Sequence, residues 1–428
     1  MEKIGVVICN YNKEKDVLLC IQSVIESIYQ DYHVYVVDNA STDRSVEFIT
    51  REYGDDPRIT LLVNEENLGG SRGFNTGVRR AVEKGHQYVM CVDNDALLDE
   101  NCIGTLMEFL EEHSESGMAA AKIYHTELPE YVQNYGTFID FQNYRVDSTY
   151  ANYLEDGSMP ELVYSDAVPA CALMVRTSLI EQIGLMPEEN FLYWDDTEWC
   201  YRCRAAGYKV ASVGGAKAFH QMGAKKEEVN TFPTYYAWRN WIVFFLQHIE
   251  EEQLDDMAEA FLGSIFEIVY EGLYRGEPNK SKTVMAAVDD ALHGVMGKAG
   301  PERIFDLEFT YDKLKPLLEK GNNLFIEVND FPLFAEAMRE ELEAKYPSCR
   351  VVLSTEGTRP EGSLVVSLCE SIFRQDDLSL EKFIMDLDGN VLRDEDDVLM
   401  AINYNYSRRA FIFAQKPLFI RLAKALRY

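Results

Sequence analysis

The chain has 428 residues, 47% of them hydrophobic, and a formal net charge of −31. This length supports a buried core and two or three domains, while the charge excludes a general nucleic-acid binder, which attracts phosphates with clustered Lys and Arg. No apolar run approaches the roughly 20 residues that cross a bilayer, and Met1 to Val7 lacks the basic and long apolar regions of a signal peptide, so the expected location is the cytosol. Nine cysteines, several inside apolar runs, read as reduced and mostly buried thiols. Cys200 and Cys203 form a lone CxxC within a helical pattern, read as two thiols on one helix rather than a zinc site.

Short apolar runs alternate with helical patterns over the first hundred residues. Strands are predicted at Ile4 to Cys9, Val34 to Val37, Ile59 to Val63 and Tyr88 to Val92, with helices at Lys15 to Ser27, Asp43 to Tyr53 and Gly73 to Lys84. Strand-helix repetition of this kind implies a parallel sheet. Each strand runs into polar residues, Asn10-Tyr11-Asn12, Asp38-Asn39-Ala40-Ser41, Asn64 to Asn67 and Asp93-Asn94-Asp95, and in open α/β sheets ligands sit outside the carboxyl ends of the strands. The four polar sets are therefore expected to share one crevice. Further on, a helix is predicted at Glu100 to Glu112, strands at Ala119 to Ile123, Ala167 to Val175 and Lys209 to Val213, and a helix at Asp196 to Ala206 capped by Gly207. Residues His125 to Tyr164 read as loop-rich.

Thr234 to Gln247 is an aromatic helix whose spacing favours packing on the first domain over base stacking. Acidic helical sequence continues to about Gly300, interrupted at Gly276 to Asn279. Leu324 to Val328, Phe331 to Tyr346, Arg350 to Ser354 and Leu364 to Leu368 then predict a strand, a helix and two strands. Domains are thus expected at 1–225, 226–305, 306–397 and 398–428. The last of these has no Asp or Glu and carries Arg408, Arg409, Lys416, Arg421, Lys424 and Arg427 among apolar residues. It fits either an anionic membrane surface or an acidic face of the same protein, and Pro417 is expected to confine its helix to the residues after it.

The chemistry concentrates in a few places. Asp93 and Asp95 emerge together from the end of a strand, two hard oxygen donors suited to Mg2+ or Mn2+. The run Asn67 to Asn75 opens a helix with Gly69, Gly70 and Gly73, so the backbone can approach a ligand closely, and Arg72 with the helix N-terminus favours an anion such as a diphosphate; a plain turn is the alternative. Asp38 could accept from a pyrimidine imide or simply cap a turn. His220 is either structural or a third metal ligand. Asp195 and Asp196, among Phe191, Tyr193 and Trp194, are poorly placed for a solvated surface, and either could serve as a base.

With these residues in hand, the runs Val6 to Asn12, Val36 to Asp43, Asn67 to Gly77 and Asp93 to Asp95, together with Trp194-Asp195-Asp196-Thr197-Glu198 and Tyr201-Arg202, resemble family 2 inverting glycosyltransferases of the GT-A fold, most closely the bacterial rhamnosyltransferase and galactofuranosyltransferase branch. The likeness covers about residues 4 to 300 and includes Tyr235-Tyr236-Ala237-Trp238-Arg239-Asn240. It implies an α/β fold with a mixed, mostly parallel sheet sandwiched by helices, followed by a helical region and a small α/β domain. By resemblance, Asn10, Asp38, Asn67, Gly70, Arg72 and Asp93 bind the donor, Asp93, Asp95 and His220 hold Mn2+ or Mg2+, Asp196 is the catalytic base, and Trp194, Asp195 and Glu198 face the acceptor. The implied partners are a dTDP- or UDP-linked sugar, rhamnose or galactofuranose, and a glycan or lipid-linked glycan acceptor at the inner face of the cell membrane. An oligomer is compatible with the sequence. A non-catalytic sugar-nucleotide binder on the same fold is the alternative. Nucleotidyl transfer is disfavoured because Asn10-Tyr11-Asn12 stands where its glycine-rich basic loop would follow the first strand.

Overall fold

A run such as Ile4 to Asn10, apolar at every position up to Asn10 apart from Gly5, suits a strand covered on both faces. The computed structural model, which describes residues 2–221, 230–276, 278–307, 315–318, 323–374 and 382–427, builds the first unit around such strands. The expected boundary at 225–226 lies outside these residues. The chain divides into two units, the first comprising residues 1–228, 236–249 and 293–301 and the second the remainder.

The first unit holds the parallel strands β1 (Ile4–Asn10), β2 (Tyr32–Asp38), β3 (Ile59–Val63) and β4 (Tyr88–Asp93), followed by β5 (Ala96–Leu98), β6 (Ser116–His125) and β7 (Val132–Asn134). After a separate hairpin of β8 (Thr137–Asp140) and β9 (Arg145–Ser148) come β10 (Leu162–Ser165), β11 (Ala172–Arg176) and β12 (Lys209–His220). The sheet has ten strands in the order β10-β12-β6-β11-β4-β1-β2-β3, with β5 beside β12 and β7 beside β6. The sheet is mixed, as expected: its long ladders β1-β2, β1-β4, β2-β3 and β6-β12 are parallel, while β11 is antiparallel to β4 and β6 and the short pairings of β5, β7 and β10 are antiparallel.

Helices cover both faces. Ile4, Val6 and Ile8 face α1 (Asp16–Ile25) and α4 (Cys102–Glu112), in a core with Ile21 and Leu106. Val7 and Val37 face α3 (Gly69–Glu83), packed with Phe74 and Val78. At Gly77 a Cβ would stand 2.3 Å from Val7 Cγ1, so the absence of a side chain is what lets this helix lie close to the central strand. The other helices of this unit are α2 (Ser45–Tyr53), α5 (Thr177–Ile183), α6 (Asp195–Ala205) and most of α7 (Phe232–His248). All nine cysteines are free and eight are buried; Cys200 and Cys203 lie on α6.

Several elements differ from expectation. The segment read as loop-rich carries four short strands, β7 to β10, too short and polar to show a period. The strand expected from Ala167 begins at Ala172, because the backbone of 167–171 is drawn into tertiary bonds: Ala167 with Thr137, and the Cys171 carbonyl with the Asp93 amide. α3 starts at Gly69 rather than Gly73.

The second unit contains α8 (Leu254–Arg275), α9 (Pro278–Leu292), β13 (Leu324–Glu327), α10 (Pro332–Lys345), β14 (Val351–Leu353), β15 (Leu364–Cys369), β16 (Phe383–Asp386), β17 (Val391–Leu392) and α11 (Glu395–Arg427). Its sheet runs β14-β13-β15-β16-β17, parallel except for the last pair. β16 and β17 are not among the predicted strands. α11 corrects the expectation for Pro417: the helix passes straight through it, 33 residues in all. Proline removes one backbone bond and crowds one carbonyl, and packing along α8 offsets that cost. Lys416 reaches Asp255 (2.7 Å) and Glu259 (2.8 Å), Arg408 lies 3.5 Å from Glu267, and Lys424 pairs with Glu251. Three of the tail's cations therefore clamp an acidic face of the same unit. Among the described residues no helix is long and apolar enough to cross a membrane.

Candidate active site

The carboxyl ends of β1, β2 and β4 do meet at one edge. Asn10 is fully buried there; its Nδ2 donates to Asp38 Oδ1 (3.0 Å) and Ser41 Oγ (3.3 Å), and its Oδ1 accepts from Asn94 Nδ2 (2.8 Å). The other oxygen of Asp38 accepts from the Ser41 amide (2.9 Å). Asp38, itself fully buried, thus caps its own turn. Asn39, which the sequence reading passed over, organises the neighbouring loop. Its Oδ1 accepts from Asn64 (3.0 Å) and the Leu68 amide (3.1 Å), and its Nδ2 donates to Asn67 Oδ1 (3.2 Å) and the Gly69 carbonyl (2.9 Å).

The glycine run is joined to the acidic segment. The Gly70 amide donates to the Phe191 carbonyl at 2.6 Å, and a Cβ on Gly69, at φ +84°, would fall 2.2 Å from that same oxygen. A Cβ on Gly70 would stand 3.6 Å from Asp195 Oδ2. Arg72, by contrast, is half exposed and turned to Glu188 (3.1 Å), which Arg79 also contacts.

Asp93, Asp95 and His220 form a group whose ligand atoms all lie within 4.8 Å of one another. His220 Nε2 is 3.1 Å from Asp95 Oδ1 and 3.5 Å from Asp93 Oδ2. Gln133 on β7 donates from Nε2 to the His220 carbonyl (2.9 Å), leaving its Oε1 to accept from His220 Nδ1–H (2.7 Å). That arrangement selects the tautomer with a free lone pair on Nε2, the form that ligates a metal. Two carboxylates and an oriented imidazole fit a borderline divalent cation such as Mn2+ and also accept Mg2+. Nothing in the sequence around Gln133 signalled this role.

Asp195 and Asp196 open α6, where the helix N-terminus favours negative charge. Burial nevertheless pushes both carboxyls up, and Asp196 repels Asp195 further. Asp196 is partly compensated by the Thr197 amide (2.7 Å), the Thr197 hydroxyl (3.3 Å) and the Ala170 amide. Burial pushes Asp93 up to about 6, with His220 opposing and Asp95 and Asp196 reinforcing the shift. Carboxyls displaced toward neutrality in a cleft are suited to proton transfer.

The segment before these acids is strained. Phe191 (φ 66°), Tyr193 (62°) and Trp194 (65°) are all left-handed without being glycine, and such positions cluster where the surroundings over-determine them. The restraint comes from two fully buried residues of α7. Asn240 Nδ2 lies within hydrogen-bond reach of the carbonyls of Asn190 (3.0 Å), Leu192 (2.8 Å) and Tyr193 (3.1 Å), while Arg239 donates to Asn190 (2.7 Å) and Gly297 (2.7 Å). Phe191 stacks on Tyr236 at 5.1 Å, and Trp194 packs on Phe244 at 5.2 Å. The Arg-Asn pair was visible in the sequence, but its partners were not. Glu198, expected at the acceptor, is buried with its carboxylate taken by Arg202 Nε (2.8 Å) and His248 Nε2.

With this geometry described, comparison with known proteins is informative. Residues 5–181 match the model of glycosyl transferase family 2. The chain carries a family 2 glycosyltransferase domain. Its relatives include glycosyltransferase GlyG of Streptococcus pneumoniae serotype 4, 33% identical over 26% of this chain and 36% of GlyG. The dTDP-rhamnosyl transferase RfbF of Shigella flexneri is 25% identical over 52% of this chain and 70% of RfbF. The low-salt glycan biosynthesis hexosyltransferase Agl10 of Haloferax volcanii is 22% identical over 71% of this chain and 95% of Agl10. The match to GlyG thus spans little more than a third of that protein.

Proposed function

We propose that the chain is an inverting glycosyltransferase that moves a sugar, rhamnose or galactofuranose, from a dTDP- or UDP-linked donor to a hydroxyl of a glycan or lipid-linked glycan used in cell-surface polysaccharide synthesis. The observation that carries this reading is the convergence of Asp93, Asp95 and His220 with Asp195 and Asp196 on one crevice at the carboxyl ends of the strands. The likeness to RfbF supports the deoxyhexose and the dTDP donor.

Held by Asp93, Asp95 and His220, a divalent ion, Mn2+ or Mg2+, supplies positive charge against the donor diphosphate. Asn10, Asp38, Asn67 and Gly70 shape the nucleotide side of the crevice, and the bare backbone at Gly70 leaves room for the donor. Arg72 joins them once it leaves Glu188. Asp196 accepts the proton of the acceptor hydroxyl while that oxygen bonds to the anomeric carbon and the bond from that carbon to the diphosphate breaks. A single displacement from the opposite face inverts the configuration. Trp194 walls the acceptor side beside Asp195, and Glu198 acts indirectly by tying the first turn of α6 to Arg202 and His248.

The test is transfer and hydrolysis with a panel of nucleotide sugars, with and without Mn2+, on the native chain and on Asp196→Asn. The variant should bind nucleoside diphosphate as the native chain does and lose turnover by at least about a hundredfold; turnover near the native rate would remove Asp196 as the base.

A further inference from the structure

α11 is apolar on two sides. Its inner side, Ala401, Tyr404, Ile412, Phe419 and Ala423, is buried, Arg408 and Lys416 are paired with acids of α8, and Lys424 is paired with Glu251 just before it. On the opposite side Leu399, Ile402, Tyr406 and Phe413 are 58, 64, 75 and 84% exposed. Their spacing of three, four and seven residues puts them on one face, and with Pro417 the stripe extends about 27 Å along the helix. Aromatic and aliphatic side chains lined up in this way mark an interaction surface rather than scattered surface apolarity.

We propose that this outer stripe of α11 lies on an anionic lipid surface. The charge pattern selects that occupant. From Val398 onward the helix has no Asp or Glu. Arg409 and Arg421, both exposed, flank the stripe, and neither has an acidic partner among the described residues. A parallel second copy would bring these arginines against their own counterparts, whereas an antiparallel one would set Arg421 near Glu395 in the first turn of α11, the case that sedimentation velocity separates. Anionic headgroups receive both arginines, while Leu399, Ile402, Tyr406 and Phe413 enter the headgroup and acyl boundary. The contact therefore runs through the apolar stripe and its two arginines, not through the lysines already paired with acids. In a chain of net charge −31, a helical stretch free of Asp and Glu from Val398 onward, beyond the acidic first turn at Glu395 to Asp397, is also less repelled by such a membrane.

The experiment is co-sedimentation of the full chain with phosphatidylcholine vesicles, with and without phosphatidylglycerol. The native chain should partition onto the anionic vesicles and not onto the neutral ones. Ile402→Ser with Phe413→Ser, and separately Arg409→Glu with Arg421→Glu, should each lower partitioning by about tenfold or more. All four side chains are exposed, and the second pair leaves the apolar stripe intact, so failure of one variant to fold leaves the other as the test. Native partitioning equal on the two vesicle types, or unchanged in a folded variant, would overturn the proposal. So would a concentration-dependent dimer in sedimentation velocity that the Ile402 and Phe413 changes abolish, since it would assign the stripe to a second copy. None of these readouts depends on the transfer reaction.

Discussion

Asn240→Ala removes the group that holds the strained segment ahead of the two acids. In the native chain one amide nitrogen serves three carbonyls, at 2.8 to 3.1 Å; the Asn190 carbonyl also accepts from Arg239 and the Leu192 amide, and the Tyr193 carbonyl from Asn190 Nδ2 at 3.5 Å, so the Leu192 carbonyl depends on Asn240 most. Leaving the part-buried Leu192 carbonyl without a donor, and Tyr193 with only the long bond from Asn190, costs on the order of 1 to 3 kcal/mol. The three left-handed residues they restrain cost roughly 1 kcal/mol each, so strain and restraint are of similar size and the segment relaxes when the restraint is lost. Trp194 immediately precedes α6, and a shift of about 1 Å in the acids that follow is enough for a loss near a hundredfold in turnover. The expected result is kcat lower by about that factor, nucleoside diphosphate affinity within about threefold of native, and altered emission from Trp194 as its packing on Phe244 loosens. Turnover by donor hydrolysis, titration calorimetry and fluorescence measure the three. Native turnover together with unchanged emission would refute the argument that α7 positions the acids.

Three other changes test separate parts of the structure. Gly69→Ala should destabilise the first unit far more than Gly70→Ala in a thermal melt, because its Cβ meets the Phe191 carbonyl at 2.2 Å and its φ is +84°, whereas the Gly70 Cβ stays 3.6 Å from its nearest neighbour. Gln133→Leu should weaken Mn2+ binding by about ten- to a hundredfold, read by electron paramagnetic resonance of free Mn2+, since His220 loses the acceptor that fixes its tautomer. Glu271 on α8 is pushed up to about 7, by burial first and then by Asp388. A folded value above the ordinary 4.5 means that this group's contribution is fully present below about pH 4.5 and is lost as pH rises through 7. Glu271→Gln should therefore stabilise the fold at pH 8 by on the order of 2 kcal/mol, seen as a higher melting temperature, and leave stability nearly unchanged at pH 5.

Much of the first unit could be read from local pattern. β1 to β4 are apolar runs with helices between them, and a strand that ends in Asn10, Asp38 or Asp93 must present those groups at the sheet edge, because the chain can only turn there. The short polar strands β7 to β10 could not be read, since three or four residues show no period and their pairing is long-range. Pro417 misled because a local rule was applied to a helix whose stability comes from packing along α8.

The sequence by itself determined which donors are available: two carboxylates after one strand, a second pair beside Trp194, a glycine run, and a histidine at the end of an apolar run. These are properties of residue type and spacing, and they do not depend on how distant segments meet. Only the tertiary structure decided how those donors are held. Residues 133 and 220, or 190 and 240, are far apart in the chain, and nothing local to either marks its partner. A buried carbonyl or imidazole N–H must be satisfied wherever the fold brings a complementary group, so Gln133 fixes the ring of His220 beside Asp93 and Asp95, and Asn240 holds three unfavourable backbone conformations ahead of Asp195 and Asp196.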